Sequence, residues 1–259
     1  MKIKQSLCYP MLNTTGLSLD TLFLAASQTG YAAVETWFRG DDFEEIAARA
    51  KRHDLVLSSI CGHQSLGDGL NNPANHDRIE DELKASIDIA VRHKIPGLIC
   101  FSGNRRPGQS AEDALDAVVS GLLRVAPYAE KHDINLNMEL LNSKVDHAGY
   151  LNDHTAWGVS VCERVQSPRV KLLYDIYHMQ VMEGDVIRTL SENIRRIGHF
   201  HTAGNPGRSD LDDTQELYYP AICRAIVASG YDLYVGHEFK PKGDPLEALK
   251  SAFLTCNVN

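Results

Sequence analysis

Four residues in the second half of the chain, Glu139, Asp175, His201 and Glu238, are of types that bind divalent cations, and each closes a short apolar run. The runs are Ile134-Asn-Leu-Asn-Met-Glu139, Val170-Lys-Leu-Leu-Tyr-Asp175, Ile197-Gly-His-Phe-His201 and Tyr234-Val-Gly-His-Glu238. A carboxylate at the end of a buried run is costly unless a charged group meets it. Any one of these residues alone could be a rim residue paired with a neighbouring Lys or Arg. Three carboxylates and one imidazole in equivalent positions point instead to one shared cation. Such a donor set suits Mg2+ or Mn2+, with Co2+ or Zn2+ as alternatives.

Further polar residues gather around this set. His178 lies three residues beyond Asp175, in reach of a substrate oxygen from a strand-to-helix loop. Arg208 closes the loop Thr202-Ala-Gly-Asn-Pro-Gly-Arg208, where a guanidinium can clamp a hydroxyl or carboxylate of a small substrate. His199 alternates with His201, so both face inward; His199 either orients a ligand or is a satisfied core histidine. Glu35 ends an early apolar run and His63 lies just beyond the next, and both are expected to line the pocket. The stretch from Gly62 to Asn72 reads as a loop, part of the substrate wall or a lid.

These residues need a scaffold that brings distant strand ends together. Apolar runs of strand length occur at 3–8, 33–37, 55–61, 97–102, 134–139, 170–175, 197–201 and 233–238. Helical patterns lie between and after them, at 19–28, 43–53, 75–94, 111–132, 156–165, 185–193, 220–229 and 245–254, the first behind a Ser18 cap. Eight strands alternating with eight helices in about 250 residues predict a single (β/α)8 TIM barrel spanning 1–259. No Pro/Gly-rich linker divides it. An open doubly wound sheet is disfavoured, because no G-x-G-x-x-G or phosphate-binding loop follows any strand. In a barrel, strand ends gather at one mouth, where the chemistry is done.

Composition agrees. The 259 residues are 43% hydrophobic and 23% charged, with net charge −8 and no dense basic run, so no nucleic-acid partner is expected. The six cysteines are scattered without a C-x-x-C pair and read as buried free thiols. No stretch is long and apolar enough to span a membrane, the N-terminus carries no signal core, and a cytoplasmic location is expected.

The segments Met138-Glu-Leu-Leu-Asn142, Leu173-Tyr-Asp-Ile-Tyr-His-Met-Gln-Val-Met-Glu-Gly184, 197–208 and Gly236-His-Glu-Phe-Lys-Pro241 resemble the xylose isomerase-like TIM barrel superfamily, and within it the hydroxypyruvate isomerases. The resemblance is strong over 134–241; residues 1–133 match in barrel layout. It implies that Glu139, Asp175, His201 and Glu238 bind a divalent metal. It also implies that Glu139 and Glu238 form the acid/base pair and that His178 and Arg208 touch substrate oxygens. The activity implied is isomerisation of a sugar or 2-oxo acid, such as hydroxypyruvate to tartronate semialdehyde, by proton transfer through an enediolate in a homo-oligomeric enzyme. Two features depart from the isomerases. They commonly carry glutamine at the position of His201, which is more like ketose 3-epimerases; those epimerases in turn tend to carry a glutamate where this chain has Val145. A ketose 3-epimerase or an inosose dehydratase-like lyase on the same barrel is therefore the alternative, followed by a barrel that binds a sugar acid without turnover. A phosphodiesterase of the endonuclease IV type would need many more clustered histidines and a basic surface.

Overall fold

Strands and helices alternate from Lys4 to Cys256, and the strands form one parallel sheet. The structure, a computed structural model, describes residues 2–12, 16–37 and 39–258. The strands are β1 (Lys4–Cys8), β2 (Ala33–Glu35), β3 (Val56–Leu57), β4 (Ile60–Cys61), β5 (Gly97–Cys100), β6 (Asn135–Glu139), β7 (Val170–Asp175), β8 (Ile197–Thr202) and β9 (Tyr234–His237). The helices are α1 (Leu19–Thr29), α2 (Phe43–Arg52), α3 (His76–His93), α4 (Ala111–His132), α5 (Thr155–Val165), α6 (Ile176–Met182), α7 (Val186–Asn193), α8 (Tyr219–Ala228) and α9 (Pro245–Cys256).

The sheet runs β3-β2-β1-β9-β8-β7-β6-β5-β4. Its two end strands, β3 and β4, are separated only by Ser58 and Ser59. β3 pairs with β2 and β4 with β5, so the chain itself closes the ring. The fold is the expected TIM barrel with its third strand in two pieces. At the break the serine hydroxyls bond to other strands: Ser58 Oγ meets Ser6 Oγ of β1 at 2.6 Å, and Ser59 Oγ donates to the Gly97 carbonyl of β5 at 3.4 Å.

Parallel strands covered on both faces should be apolar throughout, and every residue of β5, β6 and β8 is buried. The helices supply the outer cover; α3, for example, turns Ile79, Leu83 and Ile87 inward. Ser18 caps α1 as expected, its hydroxyl accepting the Thr21 N–H at 3.1 Å. All six cysteines are buried free thiols. Among the described residues, no helix is long and apolar enough to cross a membrane.

The helix α6 was not expected from the sequence. It starts directly after β7, with Asp175 serving as its N-cap by accepting the His178 N–H at 3.0 Å. His178 therefore sits in the first turn of a helix, not in a loop.

Candidate active site

Four neighbouring strands end at one place on the barrel mouth. Glu139 ends β6, Asp175 ends β7, His201 is the penultimate residue of β8, and Glu238 directly follows β9. One donor atom from each lies within 4.8 Å of the others, and all four residues are buried. His201 Nδ1 is 3.3 Å from Glu238 Oε2, 3.5 Å from Glu139 Oε1 and 3.9 Å from Asp175 Oδ2. It hydrogen-bonds to none of them.

Three carboxylates so close together cannot all be charged without a compensating cation. Burial, reinforced by the Glu238 charge, pushes the Asp175 carboxyl up to about 7. Burial also raises Glu139, with Glu238 again adding to the effect. For Glu238 burial works in the same direction, but Arg208 and His201 outweigh it and hold its carboxyl well below the usual range. His201 is raised well above the ordinary imidazole value, because Glu35 and Glu238 overcome its desolvation. The cluster is deficient in positive charge, and its donors, three oxygens and one nitrogen, match a hard divalent cation. These residues fit such an ion.

The surrounding shell is specific. Both Glu238 oxygens carry a donor: Trp37 Nε1 gives to Oε1 at 3.0 Å, and Arg208 Nη2 to Oε2 at 2.6 Å. His178 is fully buried and neutral, its imidazole held well below the usual value by desolvation and then by Arg208. Its tautomer follows from its neighbours. The Asn142 Oδ1 accepts the Val145 and Asp146 N–H groups, so the Asn142 amide NH2 faces His178 Nδ1 at 2.6 Å. His178 Nδ1 is therefore the acceptor, and the proton resides on Nε2. Among the described residues that Nε2 has no hydrogen-bond partner, and it lies 3.7 Å from Asp175 Oδ2.

Above the cluster is a cavity of about 280 Å³. Its wall is largely apolar, from Trp37, Cys61, Leu66, Ile99, Phe101 and Leu141; polar atoms come from Gln64, Glu139, His147, Arg208 and Glu238. The structure thus brings Glu139, Glu238 and Arg208 to the cavity, with Asp175, His201 and His178 packed beneath it. Two residues expected on the wall stand elsewhere. Glu35 is fully buried inside the barrel, where its Oε2 meets His199 Nε2 at 2.8 Å. Because β2 and β8 are not neighbours in the sheet, that bond crosses the interior. His63 is turned away, its Nε2 accepting the Phe101 N–H at 2.9 Å. The loop after β4 contributes Gln64 and Leu66 instead. Trp37 and His147 were missed. An aromatic residue closing the second strand run was a usable signal for Trp37, whereas nothing in the sequence around His147 indicates the path of its loop.

Residues 23–254 match the family model described as xylose isomerase-like TIM barrel. Hydroxypyruvate isomerase of Escherichia coli (strain K12) is 30% identical over 226 residues, spanning 85% of this chain and 87% of that protein. The 2-oxo-tetronate isomerase of Cupriavidus necator is 28% identical over 235 residues, spanning 85% and 86% respectively. Among solved structures, a family 2 AP endonuclease from Brucella melitensis aligns with a TM-score of 0.83 at 23% identity, over 96% of this chain and 97% of that one, a likeness of fold.

Proposed function

The chain belongs to the xylose isomerase-like TIM barrel family and, within it, to the hydroxypyruvate isomerases, and we propose that it is a divalent-metal-dependent isomerase of a short 2-oxo acid, converting hydroxypyruvate or a close analogue to the corresponding aldehyde acid. One observation carries this reading: four cation-binding side chains converge under a cavity, and two of them, Glu139 and Glu238, also form its wall. A carboxylate pair touching substrate can lift a proton from one carbon and return it to the next.

Glu139, Asp175, His201 and Glu238 would hold the ion. When bound, it would supply positive charge beside substrate oxygens as negative charge develops on them, a contribution of several kcal/mol. Of the two wall carboxylates, Glu139 is the better proton carrier. Burial raises its proton affinity, whereas Trp37 and Arg208 occupy both Glu238 oxygens. His178, beneath the cavity, directs its Nε2–H toward Asp175 Oδ2, 3.7 Å away, and acts on the substrate through that carboxylate. Arg208, with its Nε unpartnered and buried, faces the carboxylate end.

A ketose 3-epimerase is the second reading, favoured by the imidazole among the four donors. Incubation in D2O with Mn2+ separates the two. Deuterium next to the carbonyl of hydroxypyruvate, with tartronate semialdehyde in the NMR spectrum, supports the isomerase; exchange confined to carbon 3 of a ketose supports the epimerase. Absence of exchange from every 2-oxo acid and ketose tried would remove both. Glu139→Gln and Glu238→Gln should each lower kcat by at least about a hundredfold while leaving the circular dichroism spectrum unchanged.

A further inference from the structure

Glu35 does not reach the cavity, yet it is a fully buried carboxylate between two imidazoles. Its Oε2 lies 2.8 Å from His199 Nε2, and its Oε1 lies 3.3 Å from His201 Nε2. Glu35 Oε1 and His201 Nε2 are both buried, and among the described residues neither makes a hydrogen bond. At 3.3 Å each is placed to satisfy the other. The space is reserved by the sequence of β9: a Cβ on Gly236 would overlap Glu35 Oε1 and press on His201 Cδ2 at 3.0 Å.

We propose that Glu35, steadied by His199, is the positioning residue of the metal centre: in the metal-loaded protein it keeps the His201 proton on Nε2 and so leaves the Nδ1 lone pair free for an ion held with the three carboxylates. The inference rests on the metal-dependent reading above. A neutral imidazole carries one proton. For His201 to donate a lone pair at Nδ1, where Glu139, Asp175 and Glu238 converge, that proton must sit on Nε2, and Glu35 Oε1 is the acceptor there. A carboxylate behind a ligating histidine fixes both the tautomer and the ring plane, and its loss typically lowers metal affinity by about 10–100-fold. His199 holds the other Glu35 oxygen, which prevents the carboxylate from rotating away. Glu35 acts through His201 and never touches substrate.

The test is a Mn2+ titration of metal-free wild type and Glu35→Gln, followed by electron paramagnetic resonance, together with 15N NMR of the imidazoles in Mg2+-loaded wild type. The expected result is one Mn2+ per wild-type chain, binding about 10–100-fold weaker in Glu35→Gln, and an Nε2–H signal for His201. Equal affinity in the two proteins overturns the proposal, as does a proton on His201 Nδ1 in the Mg2+ form. Two Mn2+ per chain, one of them lost in Glu35→Gln, also overturns it by making Glu35 a ligand. If wild type binds no Mn2+, the metal-dependent reading itself fails. Should Glu35→Gln not fold, the wild-type tautomer alone decides.

Discussion

His147 shows what a single side chain contributes to selectivity. It stands on the cavity wall with a buried Nε2 that has no partner among the described residues, its ring edge-on to His178 at 5.3 Å. Burial, and then the Arg208 charge, lower its proton affinity, so it meets the cavity as a neutral imidazole. A buried polar atom left unpaired in this way is costly unless a ligand completes it. His147→Phe keeps an aromatic ring on the wall and removes both ring nitrogens. We expect KM to rise about threefold to tenfold, the worth of one neutral hydrogen bond, with kcat and melting temperature nearly unchanged. An unaltered KM would mean that substrate does not reach this wall. Asp175, His201 and His178 are sealed beneath the cavity, so changes there should act on kcat and metal affinity instead.

The junction between β7 and α6 makes one carboxylate serve two purposes. Asp175 Oδ1 caps the helix, while Oδ2 faces the His201 imidazole. Its folded value of about 7 lies above the usual 3.8, so in the metal-free protein the charged form is disfavoured at neutral pH and stability rises as pH falls from about 7 toward 3.8. Asparagine keeps the cap and removes the charge. At pH 8 in EDTA, Asp175→Asn should melt higher than wild type, and Asp175→Ala should be less stable than Asp175→Asn by about 1 kcal/mol, the worth of the cap. A lower melting temperature for the asparagine variant would contradict the charge crowding described here. The same junction marks the limit of reading structure from sequence. The four strand ends were legible because an apolar run closing on a charged residue requires a partner. The helix α6 was not, because its cap is itself the last residue of the strand. Nor was the break at Ser58–Ser59, where two buried serines lie within an otherwise apolar run and only the paired neighbours reveal the gap. Glu35 was placed on the wall because its partner, His199, lies 164 residues away on a strand that is not adjacent in the sheet.

At the scale of the whole barrel, the ring is closed by chain continuity at its third strand, and the flanking contacts become important. Gly62 N–H donates to the Ile99 carbonyl at 2.8 Å, and His63 Nε2 accepts the Phe101 N–H at 2.9 Å, joining the segment after β4 to β5 and the residue that follows it. His63 thus extends the β4–β5 pairing past the strand ends, which explains why it faces away from the cavity. Because the bond uses the Nε2 lone pair, protonation there destroys the acceptor. Burial holds the imidazole down to about 4, against 6.5 for an ordinary histidine. Between those values the unfolded chain binds the proton and the folded one does not, so the stability this group provides above pH 6.5 is lost as pH falls toward 4. At 1.36 kcal/mol per unit the loss amounts to about 3 kcal/mol. Other buried groups titrate in the same range, with carboxylates such as Asp175 pulling the opposite way, so the raw pH profile of the wild type mixes them. Comparison with His63→Gln cancels the shared contributions. Urea denaturation in EDTA should show the stability gap between wild type and His63→Gln shrinking by about 2–3 kcal/mol from pH 7 to pH 4. A gap that stays constant over that range would show that the β4–β5 junction does not depend on the His63 lone pair.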